Sequence, residues 1–234
     1  HADATDDIRE MFVESGIRPE VIAFVQPETL ADEEGGGSAS KTEHASVQTI
    51  VDPGSTFDAI NAARDDNFLI LKGIECDILE SGPMDLPDEV LAQADWVIAS
   101  VHFGQKQPRQ QITDRITNAL ENPHVDIIAH PTGRLINRRE AYEVDIEAVF
   151  QAAKENGKLL ELNANPVRLD LHDVHCAMAR ERGIPIVINS DAHKISGLDV
   201  LPYGIKQARR GGLTAAHVAN TLSWPELQKL LSNS

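Results

Sequence analysis

Cysteine is nearly absent from this chain, with only Cys76 and Cys176 among 234 residues. That excludes a disulfide framework and a thiolate metal cage, and a reduced, cytoplasmic setting is the default expectation. Long apolar runs are also missing, so no membrane span is expected, and no signal peptide is visible. Positive charge is in deficit: 21 Lys and Arg stand against 37 Asp and Glu, a net charge of −16. Broad, non-specific adhesion to nucleic acid needs phosphate-neutralising cations and is disfavoured. A phosphate group held by metal ions is not disfavoured, because ions reset the local field. There is no glycine-rich phosphate loop of the Rossmann or Walker type. An initiator methionine is absent too, so the true beginning is expected to be missing or processed.

What is present suits one large α/β domain spanning residues 1–234, with 41% hydrophobic and 25% charged residues. Apolar runs at residues 21–25, 68–75, 96–102, 125–130, 158–165 and 184–193 read as strands. Helical spacing lies between them: Ile8, Met11 and Phe12; residues 57–64 and 90–94; Ile112, Ile116 and Leu120; Ile146, Val149, Phe150 and Ala153; Val174, Met178 and Ala179. Two more helices are expected at 214–222 and 224–231, the second with Pro225 at its first position. Residues 32–46 are a polar, glycine-rich stretch and read as a flexible loop. Alternation of strand and helix predicts a parallel sheet with helical crossovers. About seven such units point to a closed barrel, with a doubly wound open sheet as the alternative.

The strand ends carry the chemistry. Glu75, His102, His130, Asp191 and His193 each follow an apolar run. A parallel barrel would bring them to one rim, where catalytic groups of such folds gather. Singly, each has a plainer reading. Glu75 could be an ion-pair partner, the histidines structural hydrogen bonders, Asp6 a helix cap, and Asn163 and Asn165 turn formers before Pro166. Together, such residues facing one cavity would repel or stay unpaired without a cation. A mixed imidazole and carboxylate set suits Zn²⁺, Mn²⁺ or Fe²⁺ rather than Ca²⁺. Its size calls for two or three ions, which support in-line attack on phosphorus. Cys76 should point away from Glu75 and be buried. His124, His172, His175 and His217 read as surface or packing residues.

These residues sit in longer motifs: Gly73-Ile-Glu-Cys-Asp-Ile-Leu79, Met84-Asp-Leu-Pro-Asp88, Ala99-Ser-Val-His102, His130-Pro-Thr-Gly-Arg134, Glu161-Leu-Asn-Ala-Asn165, Asn189-Ser-Asp-Ala-His193, and Tyr203-Gly204 followed by Ala208-Arg-Arg-Gly211. In this order and spacing the chain resembles the PHP (polymerase and histidinol phosphatase) family. The resemblance is strongest to the C-terminal PHP domain of bacterial family X DNA polymerases. It implies a distorted (β/α)7 TIM-like barrel with a trinuclear site, Glu75 as a bridging carboxylate, and His102, His130, Asp191 and His193 as ligands. It implies that His1 and Asp6 belong to the N-terminal family motif, whose first histidine and first strand would precede the chain. The sequence departs from the family where Gln26-Pro27 replaces an Asp-His pair, and Asp7 replaces a glycine. His44 is the nearby candidate for the missing imidazole.

The implied activity is metal-dependent phosphoester hydrolysis through a metal-bridging hydroxide, with Glu75, His102 and Asp191 at the reacting centre. The expected substrate is a DNA 3′ end, cleaved by a 3′–5′ exonuclease, or a small phosphate ester. Arg134 and Arg138 are candidate phosphate contacts, with Lys106, Arg109 and Arg139 nearby. A polymerase domain N-terminal to this chain is an expected partner. The competing reading is a structural or regulatory PHP module without hydrolytic activity. Amidohydrolase-type C–N hydrolysis ranks below both, because no lysine stands at a strand end as a carbamylated bridge.

Overall fold

The computed structural model describes residues 61–62 and 70–231. The strand expected at 21–25, the loop at 32–46, and His1, Asp6 and His44 lie outside these residues.

Five strands are described: β1 (Gly73–Asp77), β2 (Trp96–Ser100), β3 (Ile127–Ile128), β4 (Leu159–Asn163) and β5 (Ile186–Asn189). The helices are α1 (Asp88–Leu91), α2 (Arg109–Glu121), α3 (Ile146–Glu155), α4 (Asp173–Arg182), α5 (Leu201–Arg210) and α6 (Trp224–Leu231). Every strand pair is parallel, and the sheet order is β1-β2-β3-β4-β5. Among the described strands the order never reverses, whereas a doubly wound sheet reverses at its switch point. No helix among these residues is long and apolar enough to cross a membrane.

Each strand has two unlike faces, because successive side chains alternate. One face packs under the helices. There Ile74 and Cys76, Val97 and Ala99, Ile128, Leu160 and Leu162, and Ile186 and Ile188 join Ile112, Ile116, Val149 and Phe150 in one buried cluster. Cys76 therefore points away from Glu75 and is buried, as alternation requires. The opposite face starts apolar at the amino ends, with Trp96, Ile98, Ile127, Leu159 and Val187, and α6 closes it through Leu227. Towards the carboxyl ends this face turns polar, through Glu75, Asp77, Ser100, Glu161, Asn163 and Asn189. The fold thus has a dry end under α6 and a polar end at the strand termini.

Several boundaries differ from expectation. β1 does not end at Glu75 but runs on to Asp77, so Glu75 stands mid-strand. The span 214–222 is not an α-helix but two short 3₁₀ turns. The buried Asn220 carboxamide explains the break, since it accepts from Ile188 N–H at 2.7 Å and donates to Ile188 O at 3.1 Å, bracing β5. Asn61 braces Ile70 with the same pair of bonds. Val174 is exposed, and α4 buries the expected Ala179 together with Cys176. Helix α5 is not among the expected helices, and Pro202 and Gly204 obscure it, since both disfavour helix interiors. Pro202 falls in the first turn, where a missing N–H costs nothing.

His172 and His175 are packing residues at the start of α4, with ring centroids 3.7 Å apart. Burial, with the His172 and Arg134 charges beside it, pushes the His175 imidazole down to about 4. The unfolded chain therefore binds more protons between about pH 4 and 6.5, so this contribution to stability is complete above pH 6.5 and lost as pH falls to 4. Discounted for partial solvent access, the loss should be about 2 kcal/mol. Urea unfolding at pH 7 and pH 4.5 checks it: His175→Phe, which keeps an aromatic ring in the stack, should show a shallower acid slope than the parent.

Candidate metal centre

Glu75 projects from the middle of β1 onto the polar end of the sheet, beside β2. His102 lies two residues beyond β2, on the parity that brings it to the same side. His130 does not follow parity. It is two residues past Ile128, which packs under the helices, so plain alternation would bury it there. Its backbone instead adopts φ +28°, in the left-handed region. That local turn re-aims the ring toward Glu75.

The three side chains converge on one oxygen. Glu75 Oε1 lies 3.4 Å from His102 Nε2 and 3.3 Å from His130 Nε2. One ligand-type atom from each residue falls within 4.8 Å of the others. Burial alone would raise the Glu75 carboxyl, but hydrogen bonds and charge from His102 and His130 outweigh it and hold Glu75 far below the usual carboxylate range. His102 also meets Asp77 Oδ1 through Nδ1, at 2.8 Å, with Ser100 Oγ at 3.2 Å. Burial would lower this imidazole, yet Asp77 and Glu75 push it up to about 10. A carboxylate on Nδ1 fixes the tautomer that leaves Nε2 free for a metal ion. His130 is buried, whereas His102 is open to solvent.

A further layer lies behind. His130 N–H donates to Glu161 Oε2 at 2.6 Å, and Asn189 Nδ2 donates to Glu161 Oε1 at 3.0 Å. Burial pushes the Glu161 carboxyl up to about 7, with His130 opposing and the Asp191 and Glu75 charges adding. Asp170 is fully buried and accepts from Thr132 N–H at 3.0 Å.

Asp191 and His193 stand outside this three-residue group. Asp191 Oδ2 accepts from Asn163 Nδ2 at 3.1 Å and pairs with Arg168 Nε at 3.5 Å. His193 Nδ1 lies 3.1 Å from Asp191 O and 3.8 Å from its Oδ1, with the ring mostly exposed. Arg134 grips backbone, donating to Arg168 O at 2.9 Å and to Leu169 O. Arg138 is exposed, and Arg139 donates to Gly133 O. Arg109 pairs with Asp145 at 3.0 Å. Sequence reasoning gave no role to Asp77, Glu161 or Arg168. Asp77 was within reach, since it sits two positions from Glu75 on one strand face. Glu161 looked like a mid-strand residue of a motif, and nothing local marks Arg168.

Two imidazole Nε2 atoms aimed at one carboxylate oxygen form a donor set suited to a borderline divalent cation. An ion held there would sit between Glu75 Oε1 and the two Nε2 atoms.

No protein-family model matches the chain. Over 177 residues, 76% of this chain, it is 48% identical to the DNA polymerase/3′-5′ exonuclease PolX of Bacillus subtilis. The chain belongs to the PHP family. This PHP chain is also 37% identical over 162 residues to a protein of Thermoanaerobacter sp. named "Probable phosphatase", covering 65% of the chain and 64% of that protein. A "Probable phosphatase" of Acetivibrio thermocellus is 41% identical over 132 residues, 53% of the chain and 52% of that protein. The chain spans about a third of the Bacillus protein, at 31%, and under two thirds of the phosphatases.

Proposed function

We propose that this PHP chain hydrolyses phosphoesters with the help of divalent metal ions, and that its substrate is the DNA 3′ end, degraded 3′ to 5′. The observation that carries the reading is the single Glu75 oxygen flanked by two imidazole nitrogens at 3.3 and 3.4 Å. The relatives named exonuclease and phosphatase support the reaction class. The match to about a third of the Bacillus protein supports a polymerase domain N-terminal to the segment. The sequential parallel arc supports a (β/α)7 barrel.

In this reading Glu75, His102, His130, Asp191 and His193 hold two or three Zn, Mn or Fe ions, completed by His1, Asp6 and His44. Bound divalent ions supply hydroxide at neutral pH and neutralise charge on the phosphoryl oxygens. The chain's own groups do the rest. Asp77 holds His102 in one tautomer, Glu161 anchors the backbone that turns His130 inward, and Asn163 and Arg168 orient Asp191. Arg138 is free to meet a phosphate, while Arg134 shapes the loop behind it.

The test uses a 3′-labelled single-stranded oligonucleotide and a phosphate monoester, with metal-loaded and chelated protein. Nucleotide release should vanish on chelation and return with Mn²⁺ or Zn²⁺. Cleavage of the monoester alone would move the substrate to small phosphate esters. A metal-replete protein inert on both would favour the non-hydrolytic module, to which the Gln26-Pro27 departure already leans.

A further inference from the structure

Among the described residues the exposed large apolar side chains are Leu79, Phe103, Ile136, Val174 and Tyr203. All follow a strand's carboxyl end. Leu79 comes just after β1, Phe103 just after β2 and Ile136 between β3 and α3, while Val174 and Tyr203 lie in the first turns of α4 and α5. These apolar side chains therefore belong to the connections that leave the strands' carboxyl ends, as His102 and His130 do.

Phe103 is the most exposed, at 67%, and directly follows His102. A lone exposed ring on a loose loop would mean little. This loop is built. The buried Arg115 donates from Nη1 to Phe103 O at 3.1 Å and to Gln107 Oε1 at 2.7 Å, and from Nη2 to Ile78 O. Gln105 Nε2 donates to Val101 O at 2.9 Å, and Gln107 Nε2 to Glu80 O at 3.1 Å. Gly104 adopts φ +63°, and a Cβ there would lie 2.6 Å from Glu80 Cγ. The backbone on both sides of the ring is thus fixed while the ring is left in water.

The chain's charge narrows the occupant. With a net charge of −16, broad electrostatic adhesion to nucleic acid is disfavoured. An aromatic face recognises a base without using charge. A nucleoside ester carries such a face one sugar away from phosphorus, whereas a sugar phosphate or inorganic phosphate does not.

Resting on the phosphoesterase reading above, we infer that Phe103 is a base-stacking residue that selects nucleoside esters, with the terminal bases of a single strand lying against its ring beside His102. Its loss should weaken handling of such substrates roughly five- to hundredfold, the range for base-stacking aromatics. The test compares metal-loaded parent and Phe103→Ala on two oligonucleotides of one sequence. One is intact, and the other has abasic sugars at its last two 3′ positions. The parent should prefer the intact strand in kcat/KM by about tenfold, and Phe103→Ala should bring that ratio to about one. Phe103→Trp should keep the preference, and its fluorescence should be quenched by the intact strand more than by the abasic one. An unchanged preference in Phe103→Ala, or an equal loss on both strands, overturns the inference. If the parent cleaves no phosphoester, the phosphoesterase reading falls. The Trp titration then still decides stacking, and absence of differential quenching rejects it.

Discussion

Glu75→Gln will strip the PHP chain of tightly held divalent metal and lower phosphoester hydrolysis by about a thousandfold or more. The substitution keeps the shape of the side chain and removes only its charge. Glu75 is held far below the usual carboxylate range by two imidazoles on its Oε1, so it is an anion at any working pH. A neutral amide brings no charge to offset a cation, and only one of its two ends is an acceptor where the carboxylate has two. Loss of residues that merely orient a ligand costs about 10- to 100-fold in metal affinity or activity, so loss of the shared carboxylate should exceed that. Elemental analysis after dialysis against a weak chelator, with rates on the 3′-labelled strand, gives the answer. The fold should persist, because His102 keeps Asp77 and His130 keeps its backbone bond to Glu161. Full metal content and full activity in this variant would place the centre elsewhere, with Asp191 the next candidate.

The second large effect is on stability. Gly204 faces the sheet from α5, and a Cβ built there would lie 2.7 Å from both Ala164 Cβ and Ile188 Cγ2, and 3.1 Å from Leu162 Cδ2. Two opposing terms can be weighed. Replacing a helical glycine by alanine gains about 1 kcal/mol in helix propensity. Overpacking a dense core costs about 1–3 kcal/mol. All three neighbours belong to β4, β5 or the residue just after β4, so none can swing away as a flexible chain end would. Gly204→Ala should therefore destabilise by about 1 kcal/mol net, and Gly204→Val by about 3 kcal/mol or more. Chemical denaturation of both variants measures this. A stabilised Gly204→Ala would show that α5 can shift outward freely.

The sequence revealed the five described strands because a sheet buried on both faces leaves continuous apolar runs. It revealed His102 and His130 because polar residues end those runs. It failed where position along a strand, rather than residue type, decides the role. Glu75 stands mid-strand, and its neighbour Asp77 on the same face passed unnoticed although it sets the His102 tautomer. Helix α5 escaped because Pro202 and Gly204 look like breakers until the packing shows that one opens the helix and the other lets it approach the sheet. The contacts of Asp191 with Arg168 join loops after β4 and β5, a long-range arrangement that no local pattern encodes. The inward aim of His130 comes from one backbone angle, which the sequence does not announce.

That angle and the one at Asp191, φ +53°, carry a further implication. Left-handed backbone costs a side-chain-bearing L-residue roughly 1–2 kcal/mol, somewhat less for Asp and His. A change of Asp191 to Gly would relieve such a conformation. On the proposed reading, in which both residues hold metal, thermodynamic pressure at residues 130 and 191 would run toward residues that bind none once phosphoester hydrolysis ceased to be selected. An inactive descendant of this chain could then be the more heat-resistant protein, and a screen for thermal tolerance alone would drift toward losing the centre.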